Sequence, residues 1–181
     1  VSDNMNMKIE PYFQQLYDVP VISDSSYSVL NRRDFYVENA LVNRGKGRNI
    51  GVDITLERYL NKGLYYMVTA SIFDSKYYGG DRKWRNTLYN RNFIVNVLGG
   101  KEWMVGRDRQ NMFSVNFKIT LQGGDRYAPV DEVATLLDPD REVQYDETKA
   151  FSKQFSPMFI TNFSVGYKIN RKKVSHEFSI K

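Results

Sequence analysis

Phe113-Ser114-Val115-Asn116-Phe117-Lys118-Ile119-Thr120-Leu121-Gln122 sets apolar side chains at every odd position and polar ones at every even position. Successive side chains of a strand leave opposite faces, so the segment reads as a strand with one dry and one wet face. Downstream the same alternation returns in Phe163, Val165, Tyr167 and Ile169, then in Val174, His176, Phe178 and Ile180. The two runs are joined across Asn170-Arg171-Lys172-Lys173, a charged hairpin turn.

Upstream, residues 88–104 form a fourth strand in chain order, in which Phe93, Val95, Val97, Gly99 and Trp103 share a face. It is joined to the quoted strand by the polar turn Gly106-Arg107-Asp108-Arg109-Gln110-Asn111. Residues 64–76 form a third strand, less clean because Tyr65, Met67 and Phe73 take the nominally polar positions. Asn61-Lys62-Gly63 precedes it as a tight turn, with glycine supplying positive φ. Residues 48–60 place Ile50, Val52, Ile54 and Leu56 opposite Gly51, Asp53, Thr55 and Glu57. The first strand spans residues 5–17; Pro11 lacks an amide donor and marks an edge, a bulge or a strand end.

The connections run long, short, medium, short, long, short. Residues 18–46 read as an irregular stretch that can hold a short hairpin, a medium loop is centred on Gly79-Gly80-Asp81-Arg82, and the longest loop runs from Gly123-Gly124 to about Pro157 with a short helix expected at 130–137. Such alternation gathers the long loops at one end of the sheet, the habit of outer-membrane barrels. Strands of ~10–13 residues also exceed the soluble norm of about 5–6 and match the roughly 9–11 that a tilted strand needs to cross a bilayer. The expected fold is all-β: an antiparallel up-and-down meander of about seven strands, a segment of a transmembrane β-barrel.

Composition narrows the chemistry. The 181 residues carry a net charge of +5, no cysteine and one histidine, His176. Disulfides, thiolate nucleophiles and cysteine metal sites are thereby excluded, and a Ser-His-Asp triad is disfavoured. Lys and Arg are spread through strands and turns, so no nucleic-acid footprint emerges. No run approaches the ~20 apolar residues of a transmembrane helix, which leaves transmembrane strands untouched. The chain starts at Val1 without a signal peptide and stops at Lys181 within an alternating run; both ends read as cuts. Residues 1–181 are therefore expected to be one partial barrel, a fragment lacking the rest of a larger chain.

Specific runs carry a resemblance. The stretch from Asn43 through Gly45-Lys46-Gly47-Arg48 to Arg58, the run Thr69-Ala70-Ser71-Ile72-Phe73-Asp74-Ser75-Lys76-Tyr77, Arg85-Asn86-Thr87 and Asn96-Val97-Leu98-Gly99-Gly100-Lys101-Glu102-Trp103 are similar to the late barrel of Bacteroidetes-type TonB-dependent outer-membrane receptors. Gly123-Gly124-Asp125-Arg126-Tyr127-Ala128-Pro129-Val130-Asp131 and Tyr145-Asp146-Glu147 resemble that family's penultimate long loop. The resemblance spans nearly the whole chain. It implies an outer-membrane location and, for the parent protein, energised uptake of a bulky nutrient such as a chelated metal, glycan or peptide. The implied partners are outer-membrane lipid, the plug domain of the parent chain and a TonB-type energising complex. No plug, energy-coupling box or signal is found here, so uptake would belong to the parent and not to this piece. Two other readings stand beside it: a small self-contained outer-membrane barrel acting as adhesin or anchor, and a soluble lipocalin-like barrel with its apolar faces turned inward.

No enzyme chemistry assembles, and no cofactor or metal is expected. Gly45-Lys46-Gly47-Arg48 superficially matches a phosphate-cradling loop, but a strand rather than a helix comes after it, which favours a loop-to-strand transition. The acidic run Asp138, Asp140, Glu142, Asp146 and Glu147 lacks the central glycine and flanking helices of an EF-hand and reads as a solvated loop. Asp53, Thr55, Glu57, Asn96, Asn116, Lys118, Asn162 and Lys168 would line an aqueous interior. Tyr59, Tyr65, Tyr66, Trp103, Phe113 and Tyr167 near the short turns suit a lower aromatic girdle. Tyr77, Tyr78, Trp84, Tyr89 and Tyr127 near the long loops suit an upper girdle, and of these Tyr77, Tyr78, Trp84 and Tyr127 are the candidates for ligand contact at a mouth.

Overall fold

The computed structural model describes residues 4–32, 37–140 and 142–181. Its strands are β1 (Met5–Ile22), β2 (Leu41–Asn61), β3 (Leu64–Tyr78), β4 (Trp84–Asn86), β5 (Phe93–Val105), β6 (Asn111–Gln122), β7 (Arg126–Tyr127), β8 (Lys153–Gln154), β9 (Met158–Asn170) and β10 (Ser175–Ile180), with a short α-helix, α1 (Glu132–Leu137), and single 3-10 turns at Val29–Asn31 and Glu147–Lys149. The main sheet has the order β1-β2-β3-β5-β6-β9-β10, each strand antiparallel to the next; β4 adds to β3, and β7 pairs with β8 as a separate ribbon. The up-and-down meander is thus present with all seven expected strands. No helix among the described residues is long and apolar enough to cross a membrane, which says nothing of strands.

The short turns come from local chemistry. Lys62 and Gly63 both take positive φ (50° and 76°), the mirror-image geometry that suits the right-handed twist of a hairpin. At the β9–β10 turn the Arg171 amide donates to the Val174 carbonyl at 2.8 Å.

Three strand ends depart from expectation. The first hairpin climbs well into the stretch expected to be irregular: β1 reaches Ile22 and β2 begins at Leu41. Its ladder continues through this stretch because an extra residue in β1 between Leu16 and Val19, where Asp18 turns to φ 53°, is matched by one in β2 between Asn43 and Gly45, which restores the register. Gly45-Lys46-Gly47-Arg48 therefore lies inside β2 rather than at its start. A Cβ on Gly47 would stand 2.8 Å from Leu30 Cδ1, so the residue admits the close approach of the loop above it. In contrast, β5 starts late, at Phe93, because Asn92 adopts φ 68° and its carbonyl takes the Phe73 amide at 2.8 Å.

Register sorts the two faces. Met7, Leu56, Val68, Val97, Ile119 and Thr161 form one cross-strand row, and Ile9, Ile54, Ala70, Val95, Leu121 and Phe159 the next. Tyr66, Gly99, Phe117 and Phe163 continue the same face. The opposite face carries Lys8, Thr55, Thr69, Asn96 and Thr120 in one row, and Glu57, Met67, Leu98, Lys118 and Asn162 in another. On it, side chains link strand to strand: Ser71 Oγ donates to Asp53 at 2.5 Å, Ser75 Oγ to Asn49 at 2.6 Å, Thr120 Oγ1 to Asn96 at 2.8 Å and Tyr65 Oη to Asn116 at 2.8 Å. Such cross-strand pairs are the unit of sheet stabilisation.

The apolar face is uncovered among the described residues. Phe13 is 65% exposed, Phe163 61% and Phe178 62%, and Met7, Ile9, Ile50, Ile72 and Phe117 are likewise exposed. Burying a large apolar side chain is worth roughly 1.5–3 kcal/mol, so a face this size left in water would forgo the main driving force of folding. Among the described residues the buried apolar ones are few (Val19, Val21, Tyr77, Leu88 and Ala150), and all lie at the long-loop end.

The sheet also slants. The Asn61–Leu64 pair that closes the β2–β3 turn is in line with Lys101, Val115, Val165 and Ile180. Yet β5 continues past Lys101 to Val105, and β9 past Val165 to Asn170. Each hairpin therefore ends lower than its predecessor, the stagger required of strands that tilt around a cylinder.

Candidate ligand site at the loop end

The long loops fold over the polar face at the top of β2 and β3. Tyr77, opposite Gly47 in the ladder, is fully buried there and meets the Phe151 ring edge-on at 6.1 Å. Asp81 and Arg85 clamp the connection that leads into β4. Arg85 Nη1 donates to Asp81 Oδ1 at 2.8 Å and Nη2 to Oδ2 at 2.5 Å, with the guanidinium buried. The paired guanidinium holds the Asp81 carboxyl below its usual value of 3.8, and Asp81 in turn raises Arg85. Asn90 is fully buried and donates to Asp74 at 2.9 Å and to Asn86 at 3.0 Å.

Against this cluster lies a cavity of about 800 Å³ whose wall includes Tyr27, Asn31, Arg126, Tyr127, Phe151 and Phe155. Tyr127 and Phe155 stack with centroids 4.4 Å apart and planes at 27°. Arg126 is fixed by donating to the Asn90 carbonyl at 2.8 Å and to Asn92 Oδ1 at 2.7 Å, and burial lowers its pKa. Tyr27 Oη and Asn31 Nδ2 are buried and find no hydrogen-bond partner in the described residues. The arrangement offers flat apolar rings beside unspent polar atoms, the furnishing of a pocket for a polar solute with an apolar face.

No family model, curated protein or solved structure matches the chain.

The four mouth aromatics separate. Tyr127 lines the cavity. Tyr77 is packed in the core beneath it, its ring enclosed. Tyr78 and Trp84 lie beside one another at 5.5 Å, with Arg48 5.6 Å from the Trp84 ring and Lys46 5.9 Å from the Tyr78 ring. Lys46 and Tyr78 are ladder partners above Ile50, on the apolar side of the sheet. The structure thus brings Tyr78 and Trp84 together and separates them from Tyr127. Tyr89 is exposed and donates to the Arg32 carbonyl at 3.2 Å.

At the other end Trp103, Phe113 and Tyr167 are in register, with Trp103 and Phe113 rings 5.7 Å apart. Tyr65 points to the polar face, unlike Tyr66, and covers Gly100: a Cβ there would lie 2.7 Å from Tyr65 Oη. The acidic run serves as turn chemistry. Asp138 Oδ1 accepts from the amides of Asp140 and Glu142 at 2.9 and 3.2 Å, and Asp146 accepts the Thr148 amide at 3.0 Å and pairs with Lys149 at 2.8 Å. No cluster of three or more His, Asp or Glu among the described residues is placed to hold a metal ion. His176 lies opposite Ile169, exposed on the apolar face.

Tyr27, Asn31, Asn90 and Phe155 were not singled out by the sequence. Their signal is absent from local pattern, because loop residues from three connections meet only once the sheet has aligned the loops. Arg85 had one usable clue, the Asp81-x-x-x-Arg85 spacing across a turn.

Proposed function

We propose that this chain is a stretch of the wall of an outer-membrane β-barrel of the TonB-dependent receptor type, whose parent imports a bulky nutrient. On this reading the apolar face meets hydrocarbon and the polar face borders water or the parent's plug. The observation that carries it is the continuous apolar face left uncovered by the described residues across seven strands, while the opposite face is polar and hydrogen-bonded. A soluble lipocalin-like barrel would bury that face.

Dimensions agree. On β2 the apolar positions Ile50, Val52, Ile54 and Leu56 are bracketed by Arg48 and Arg58. Ten residues at ~3.3 Å span about 33 Å, which a tilt of ~40° reduces to ~25 Å, the height of a barrel's lipid-facing band. The loop-end cavity then opens on the side of the long loops, where a polar solute would first be held.

The chain's lack of cysteine gives a clean test. Single cysteines are placed at residues 114 to 119 and the chain is folded into phosphatidylcholine bilayers. A water-soluble maleimide is expected to label positions 114, 116 and 118 and to spare 115, 117 and 119. Uniform labelling would overturn the wall assignment. For the parent receptor, exchanging residues 126–155 for a short linker is expected to abolish uptake while leaving the barrel in the membrane.

A further inference from the structure

Above the apolar band, β2 carries Lys46 and Arg48 on the side of Ile50 and Val52. Neither cation has an acidic partner in the described residues; their contacts are the Tyr78 and Trp84 rings at 5.9 and 5.6 Å. Nearby carboxylates are already engaged: Asp74 pairs with Lys76 at 3.4 Å and Asp81 with Arg85. Lys83 beside Trp84 and Arg44 beyond Lys46 are exposed and add positive charge. The charged ends themselves stand over the ring faces, with Lys46 exposed and Arg48 half-buried, a posture that suits cations at a membrane boundary.

Resting on the wall reading above, we propose that Lys46 and Arg48, braced by Tyr78 and Trp84, form a seat for the phosphate of an outer-leaflet lipid headgroup. Charge selects the occupant. A phosphate monoester supplies the anion that the two unpaired cations lack, and its acyl chains continue down the column Ile50, Val52, Ile54. Arg48 donates a fork of N–H groups to phosphate oxygens, and Lys46 adds a point charge. A zwitterionic headgroup would bring its own cation into the same space and be disfavoured.

The two tryptophans, Trp84 and Trp103, make the test direct. The full chain with Trp103→Phe is folded into bilayers containing either brominated phosphatidic acid or brominated phosphatidylcholine at equal mole fraction, and Trp84 emission is read. Phosphatidic acid is expected to quench several-fold more strongly. Lys46→Gln and Arg48→Gln are each expected to reduce that preference, by up to about fivefold per cation, while the folded mobility in electrophoresis is unchanged. Equal quenching by both lipids would overturn the headgroup seat and leave the wall intact. So would a preference that survives the double substitution. Absence of quenching by either lipid would overturn both the seat and the wall. The unsubstituted chain run in parallel guards against misfolding of the Trp103→Phe variant.

Discussion

Asp81 and Arg85 meet fork to fork, two hydrogen bonds of 2.8 and 2.5 Å closing the turn that enters β4. The arginine is buried and also reaches the Thr148 carbonyl at 3.5 Å, so one pair joins two loops. Replacing Asp81 with Asn would leave a buried guanidinium without its counter-charge and is expected to cost about 1.5–3 kcal/mol of loop stability. Hydrogen exchange at residues 79–92 would report it as faster opening, with the wall strands unaffected.

The same pair sets an acid limit. Asp81 titrates below its usual value because Arg85 holds the ionised form. A carboxyl whose folded pKa is depressed contributes stability that is complete above the unfolded value, near pH 4, and is lost as pH falls through the lowered folded value. Loop opening measured from pH 7 to 5 should therefore be flat in this respect, and should rise only below about pH 4. Arg85→Met should remove that acid step.

Asp146 offers a second, independent titration. Lys149, then Thr148, hold its carboxyl at about 2 against the usual 3.8. Carbonyl NMR of the folded chain is expected to show that low midpoint. Lys149→Met should bring it back up towards 3.8, and if it does not, the ion pair is not formed in solution.

Phe117 and Thr120 lie on opposite faces of β6. Phe117→Arg, or Val165→Arg on β9, is expected to cost about 2–4 kcal/mol in a folding titration in bilayers if these positions lie near the midplane. Thr120→Arg should cost less than about 1 kcal/mol, since that position borders polar neighbours. Equal costs for the two faces would contradict the assignment.

Gly100 tests the polar face. A Cβ would press on the Tyr65 ring and on Asn116, whose Nδ2 also bonds Ser164 Oγ at 3.3 Å. Gly100→Ala is expected to destabilise by about 1–3 kcal/mol through overpacking. Tyr65→Ala in the same chain should recover part of that loss, giving a coupling energy measurable in a double-mutant cycle.

Much of the wall was legible because alternation is a local signal: Phe113 to Gln122 states its own two faces, and Asn61-Lys62-Gly63 its own turn. Pro11 was readable as an edge marker, and β1 pairs on one side only among the described strands. The features that escaped were set by distant contacts. Gly45, Gly47 and Pro20 look like loop, yet the β1–β2 ladder passes through them, because β1 and the loop above supply the packing. Tyr77 and Tyr78 are neighbours with similar chemistry; only the register shows one in the core and the other beside Trp84. The cavity could not be foreseen, since Tyr27, Arg126 and Phe155 share no local pattern.

The bulge at Asp18 has a bearing on how such a chain tolerates insertion and deletion. Within β5, β6 or β9 one added or lost codon would turn a whole run of greasy side chains inwards, so length there should drift only in twos. Between Leu16 and Val19 β1 already carries an odd residue, balanced by one in β2 between Asn43 and Gly45, and the pairing beyond runs on uninverted. Length variation among descendants of this sequence should therefore collect at that point and in the loops, leaving the walls' spacing untouched.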